Sequence, residues 1–168
     1  MALDTVSDAI FICGAARTPL GAFQGAFSGV SAVDLGSRAI AAALEDAGLP
    51  AERAGEVLMG NVLPAGLGQA PARQAAIGAG VPVSVPCTTV SKVCGSGMKS
   101  VIQGVDAIRA GSVGTVIAGG MESMTNAPYL LPEGRAGARI GHGRILDHMM
   151  LDGLEAVSYT HLRAHETA

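Results

Sequence analysis

Two textures of apolar residue alternate along this chain. Short, nearly unbroken apolar runs at residues 9–15, 56–62, 87–93 and 113–118 have the length and β-branched content of strands buried on both faces. Between them lie stretches with helical spacing. Residues 32–47 place Leu35, Ala39, Ile40, Ala43 and Leu44 on one face and end at Gly48, with Pro50 just beyond. Residues 72–79 form a short Ala-rich segment with Pro71 positioned for a first helical turn. Residues 96–110 set Met98, Val101, Ile102, Val105 and Ile108 on one side before Gly111 stops the helix. This alternation predicts an α/β fold whose parallel or mostly parallel sheet is covered by helices on both faces. After Gly119-Gly120 the pattern dissolves. Residues 121–150 carry Pro, Gly, Arg and Met without a period and read as an extended excursion.

Composition narrows the class. A length of 168 residues suffices for one domain with a real core, or for part of a larger one. With 49% hydrophobic and 15% charged residues, the chain is of the well-buried globular kind. Aromatics are only 3% and glycines number 24, so the core is built from Ala, Gly, Val and Ile, which suits thin helices packed closely on a sheet. A net charge of −3 leaves no basic footprint for nucleic acid or an anionic membrane. No apolar run reaches the ~20 residues a membrane span requires, and no basic segment leads into an apolar one as in a secretory signal. Three cysteines without framework spacing suggest a reducing, cytoplasmic setting.

One cysteine stands apart. In the run from Val90 to Val101, Cys94 falls where a β-branched strand gives way to Gly95-Ser96-Gly97 and then a helix. A sulfur there is expected at an exposed turn facing the positive end of the helix dipole, and both conditions favour the nucleophilic thiolate. The flanking glycines leave room for a substrate, and the N–H groups of the turn offer a place for a developing oxyanion. The alternative for Cys94 is a buried structural cysteine. Cys13, in an apolar run, and Cys87, after Pro86, are read as small buried hydrophobes.

Other signals are weaker. Gly66-Leu67-Gly68-Gln69-Ala70-Pro71 lacks the third glycine of a dinucleotide loop, and no phosphate-loop motif occurs. His142 and His148 are expected to be solvated or supporting groups, and no metal site is predicted. Arg135, Arg139 and Arg144 suit a solvated or subunit-contacting surface, with an anionic ligand as the alternative. Glu122 follows a strand end, where it can be buried and hydrogen-bonded; its role is open. Residues 157–167 resemble one reading frame of a transposon adapter used in sequencing-library preparation. That likeness implies a non-native tail over residues 157–168, in which the i, i+4 pair His161 and His165 is no metal site.

Four blocks, in order, resemble the thiolase family in its acetyl-CoA C-acetyltransferase branch. They are Arg17-Thr18-Pro19 with Gly21; Gly60-Asn61-Val62 through Gln69-Ala70-Pro71-Ala72-Arg73-Gln74; the run from Val90 through Ile108; and Ala118-Gly119-Gly120-Met121-Glu122-Ser123-Met124 leading to Ala127-Pro128. Ser91 stands where many members carry Asn. The resemblance implies a thiolase-like α/β fold, in which residues 1–120 are most of the first β-α-β-α-β-α-β half of a five-layered α-β-α-β-α core. Residues 121–156 would begin the inserted loop domain. It further implies that Cys94 carries an acyl-thioester intermediate while two acetyl-CoA molecules condense to acetoacetyl-CoA and CoA, or the reverse. Coenzyme A thioesters would be substrates, with no bound cofactor and no nucleic-acid or membrane partner, and the full-length protein would be a homo-oligomer, dimer or tetramer. The family's catalytic His, second Cys and Asn-containing motif fall beyond the matching region, so the chain is expected to be an inactive fragment. The competing expectations are a β-ketoacyl synthase-like condensing enzyme and a non-catalytic thiolase-like lipid-binding protein.

Overall fold

A computed structural model describes residues 9–137 and 139–155. The adapter-like tail, with His161 and His165, lies outside these residues.

Helix α1 (Ala32–Asp46) starts because Ser31 caps it. The Ser31 Oγ accepts from the Asp34 N–H at 3.1 Å and donates to the Asp34 carboxylate at 2.7 Å. It ends at Gly48, whose φ of +61° only glycine adopts cheaply, with the Leu49 N–H closing onto Leu44 O at 3.0 Å. Gly111, at φ +71°, ends helix α3 (Ser96–Arg109) in the same way, with the Ser112 N–H closing onto Ala107 O at 3.0 Å. Helix α2 (Pro71–Gly78) begins with proline at its first position, and its free Ala72 N–H is taken by Thr89 Oγ1 at 3.1 Å.

Three parallel strands form the sheet. Strand β1 (Glu56–Gly60) is central, flanked by β2 (Cys87–Val90) and β3 (Val116–Gly120), with Val57 opposite Cys87 and Glu56 opposite Val116. The pleat sends alternate residues of β1 to opposite faces. Val57 and Met59 join Ile40, Ala72, Ala75, Ala76 and Met121 in a core beneath α1 and α2. On the other face the fully buried residues of α3 are small: Ser96, Ser100 and Gly104. The Ser100 hydroxyl lies within hydrogen-bond reach of Gly119 O (2.7 Å) and Gly97 O (2.6 Å).

Past β3 the chain makes short pieces. A 3-10 turn at Met124–Asn126 precedes strand β4 (Tyr129–Leu130), and a second lies at Pro132–Arg135. Strand β5 (Leu146–Asp147) pairs antiparallel with β4, and a π-helical segment, Met149–Leu154, follows. The aperiodic sequence of this region thus corresponds to short elements tied down by side chains.

Three expectations are corrected. Residues 9–15 form no strand: this segment runs along the end of α1, with the Ala15 N–H donating to Asp46 Oδ2 at 2.9 Å, and no described residue offers it a ladder. Cys13 in that segment is consequently exposed, as are Phe11 and Ile12. On α3 the apolar side is split: Val105 and Ile108 are half-buried, whereas Met98 is 73% exposed and Val101 and Ile102 about half exposed. Small residues are what allow close approach of a helix to a sheet, so the larger Met98, Val101 and Ile102 take the outer face.

Candidate active site

Helix α3 brings Cys94 to the carboxyl ends of all three strands, the place where open parallel sheets present ligand sites. Strand β2 stops at Val90, and the chain then tightens into a turn. Gly95 and Ser96 donate their N–H groups to Lys92 O (3.0 Å) and Val93 O (3.1 Å). Ser96 braces the turn again: its Oγ accepts from the Lys92 N–H at 2.8 Å and donates to Val93 O at 2.7 Å. These bonds hold Val93 at a φ of +45°, a conformation that is costly for a β-branched residue. The next residue is Cys94, exposed as expected, with no hydrogen bond to its Sγ from any described residue. The Gly95 and Ser96 N–H groups are engaged inside the turn, which removes them from the oxyanion role expected of it.

The thiol opens on a cleft of about 450 Å³. Its walls come from the Arg17–Leu20 segment, Leu35 and Ala39 of α1, Val62 and Leu63 after β1, Met121 and Glu122 after β3, and Leu154 of the π-helical segment. Most of that lining is apolar. The floor is glycine: Gly60, Gly97 and Gly120 meet where β1, α3 and β3 converge.

Glu122 is the charged residue with the most structure around it. Its Oε2 accepts from the Val62 N–H at 2.7 Å, and its Oε1 accepts from the Leu63 N–H at 3.1 Å and from Asn61 Nδ2 at 2.8 Å. Burial pushes its carboxyl above the ordinary value, against the pull of these donors. Asn61 is fully buried, and its Oδ1 meets no donor among the described residues.

Of the two roles expected for His148, solvated or supporting, the structure shows the second: it is 4% exposed. Its Nε2 accepts from the Ala65 N–H at 3.3 Å, so the ring proton sits on Nδ1, 2.5 Å from the Asp152 carboxylate. The side chain thereby pins the π-helical segment to the loop after β1. Sequence alone gave no sign of this, since the contact spans 83 positions.

The remaining candidates are peripheral. His142, Arg135, Arg139 and Arg144 are exposed. Cys87 is half-buried, its Sγ donating to Val85 O at 3.4 Å, and burial raises its thiol above the usual value although Arg73 lies close. The Gly66–Pro71 segment turns into α2, held by Gln74 Nε2 on Leu67 O (2.8 Å) and Gln69 O (2.7 Å). Among the described residues no group of three or more His, Cys, Asp or Glu side chains is placed to hold a metal ion, and no helix is long and apolar enough to cross a membrane.

Comparison with known proteins gives this geometry a context. A family model described as "Thiolase, N-terminal domain" matches residues 10–167. Acetyl-CoA acetyltransferase 2 of Arabidopsis thaliana is 55% identical over 145 residues, covering 86% of this chain and 36% of that protein. The acetyl-CoA acetyltransferase of Pseudomonas aeruginosa is 50% identical over 145 residues, 86% of this chain and 37% of the relative. That of Schizosaccharomyces pombe is 50% identical over 149 residues, 89% and 38% respectively. The chain spans just over a third of the length of these curated relatives.

Proposed function

This chain belongs to the thiolase family, and from that premise we propose that it supplies the acyl-accepting part of a thiolase active site, with Cys94 as the nucleophile. The observation that carries this is the exposed Cys94 thiol at the start of α3, opening on an apolar cleft. The proposed substrates are acyl-CoA thioesters, in keeping with the names of the relatives.

The chemistry runs in two halves. Cys94 Sγ attacks the carbonyl carbon of acetyl-CoA. The bond from that carbon to the CoA sulfur breaks, CoA leaves as its thiol with the proton from Cys94, and an acetyl-Cys94 thioester remains. A second acetyl-CoA then loses an α-proton, and its carbanion attacks the acetyl carbonyl. Cleavage of the carbon–Sγ bond returns the Cys94 thiol and yields acetoacetyl-CoA. Thiolysis is the same sequence reversed.

No described residue hydrogen-bonds Cys94 Sγ, and the resemblance assigns the base His, the α-proton Cys and the Asn motif to sequence beyond the matching region. The chain alone is therefore proposed to be inactive, and the complete protein to be a homo-oligomer that binds CoA substrates and holds no resident cofactor. The exposed apolar side of α3 then packs against the second half of the five-layered core.

Mapping of the acyl-enzyme tests the assignment. The complete enzyme is quenched after mixing with radiolabelled acetyl-CoA and digested. Label on the Cys94 peptide is expected; label on another peptide removes Cys94 from the nucleophile role.

A further inference from the structure

We propose that Glu122 is a positioning residue for acylation, fixing a wall of the cleft on which Cys94 opens; this rests on Cys94 being the acyl-accepting nucleophile. Strand β1 ends at Gly60, pressed against Ser96 and Gly97 at the start of α3, and the three residues that follow are all held by one carboxylate. Glu122 takes the Asn61 side-chain amide (2.8 Å) and the Val62 and Leu63 backbone N–H groups (2.7 and 3.1 Å). Val62, Leu63 and Glu122 line the same cleft as Cys94. Glu122 itself sits two residues beyond the end of β3, so its carboxylate ties the exits of two neighbouring strands together where the thiol emerges.

The three donors decide what Glu122 does. An ionised carboxylate accepts at about four positions, and three of them face protein donors. It is thus committed to the loop rather than free to exchange protons with a substrate. Glutamine cannot replace it: one oxygen becomes an NH₂ group, which confronts either the Val62 N–H or the Leu63 and Asn61 donors. One side of the clamp then opens, and Val62 and Leu63 lose their fixed distance from the thiol. Asp keeps both oxygens but falls short by one methylene.

Rapid-quench acylation of the complete enzyme by radiolabelled acetyl-CoA, with peptide mapping, tests this. E122Q is expected to lower the acylation rate constant about tenfold, the scale of a sub-ångström misplacement. The burst amplitude stays full and the apparent KM changes by less than about twofold. E122D is expected to recover part of the loss. An E122Q rate constant equal to wild type overturns the proposal, whether the amplitude is full or reduced; the second pattern is that of a purely structural residue. Should E122Q fail to fold, E122D decides, with slowed acylation at full amplitude in favour and a wild-type rate constant against. Failure of wild type to label Cys94 removes the nucleophile assignment and this proposal together. Labelled wild type with an unaffected Glu122 variant removes this proposal alone.

Discussion

Gly60 of β1 and Gly97 of α3 approach so closely that a Cβ on Gly60 would stand 2.5 Å from the Gly97 amide nitrogen. The Ser96 carbonyl carbon would lie at 2.6 Å, so both obstacles are backbone rather than flexible side chain. Gly60→Ala must push the start of α3 off the sheet. Overpacking of this kind costs about 3 kcal/mol, and the urea midpoint should fall with little change in slope. An unchanged midpoint would show that α3 is not seated against β1 as described.

Glu122 gives a pH signature of definite sign. Burial holds its carboxyl above the ordinary 4.5. A carboxyl raised in the folded state binds its proton more tightly there than in the unfolded chain. Its contribution favours folding below the unfolded value and is lost as pH rises through the folded one. Glu122→Gln removes that titration. Wild-type stability relative to E122Q should therefore decline as pH rises above the ordinary 4.5. A difference that is flat, or that grows with pH, contradicts the raised carboxyl.

The cysteines should separate by reactivity. Cys94 and Cys13 are exposed, whereas Cys87 is half-buried with its thiol raised by burial. With iodoacetamide at neutral pH, peptide-resolved mass spectrometry should find Cys94 and Cys13 alkylated well before Cys87. Early loss of the Cys87 thiol would place β2 in a more open environment than the structure gives it.

His148 and Asp152 should not be equal partners in stability. His148 is buried and receives the Ala65 N–H, so His148→Ala leaves a cavity and an unpaired donor, at about 2–3 kcal/mol. The Asp152 side chain is 48% exposed. Solvent screens its interaction with the ring, and Asp152→Asn should cost about 0.5–1 kcal/mol. Denaturation of the two variants checks the order; equal losses would mean that the ring is held chiefly by Asp152.

How much of this was legible in the chain depended on the range of the interaction. Three helix ends were readable because Gly48, Pro71 and Gly111 act within a turn of their own position; the Ser31 cap was not read. The emergence of Cys94 at a strand-to-helix junction was readable for the same reason. The strand expected at residues 9–15 was not secured by its apolar character, because an apolar run signals burial without naming a partner. On α3 the spacing marked an apolar side but not which layer each of its residues meets. Glu122 was visible as a strand-end acid, yet its donors lie 59 to 61 positions away. The positive φ of Val93 had no sequence mark at all, because the residue type argues against it.

The outward stripe of Met98, Val101 and Ile102 also bears on synthesis. In a polypeptide as long as the relatives, this part leaves the ribosome first, and the rest follows over roughly tens of seconds at ordinary elongation rates. Throughout that interval the nascent chain shows a greasy ridge of the kind chaperones recognise and neighbouring chains stick to. A helix proposed to pack inside the finished protein is, while that protein is being made, an uncovered surface.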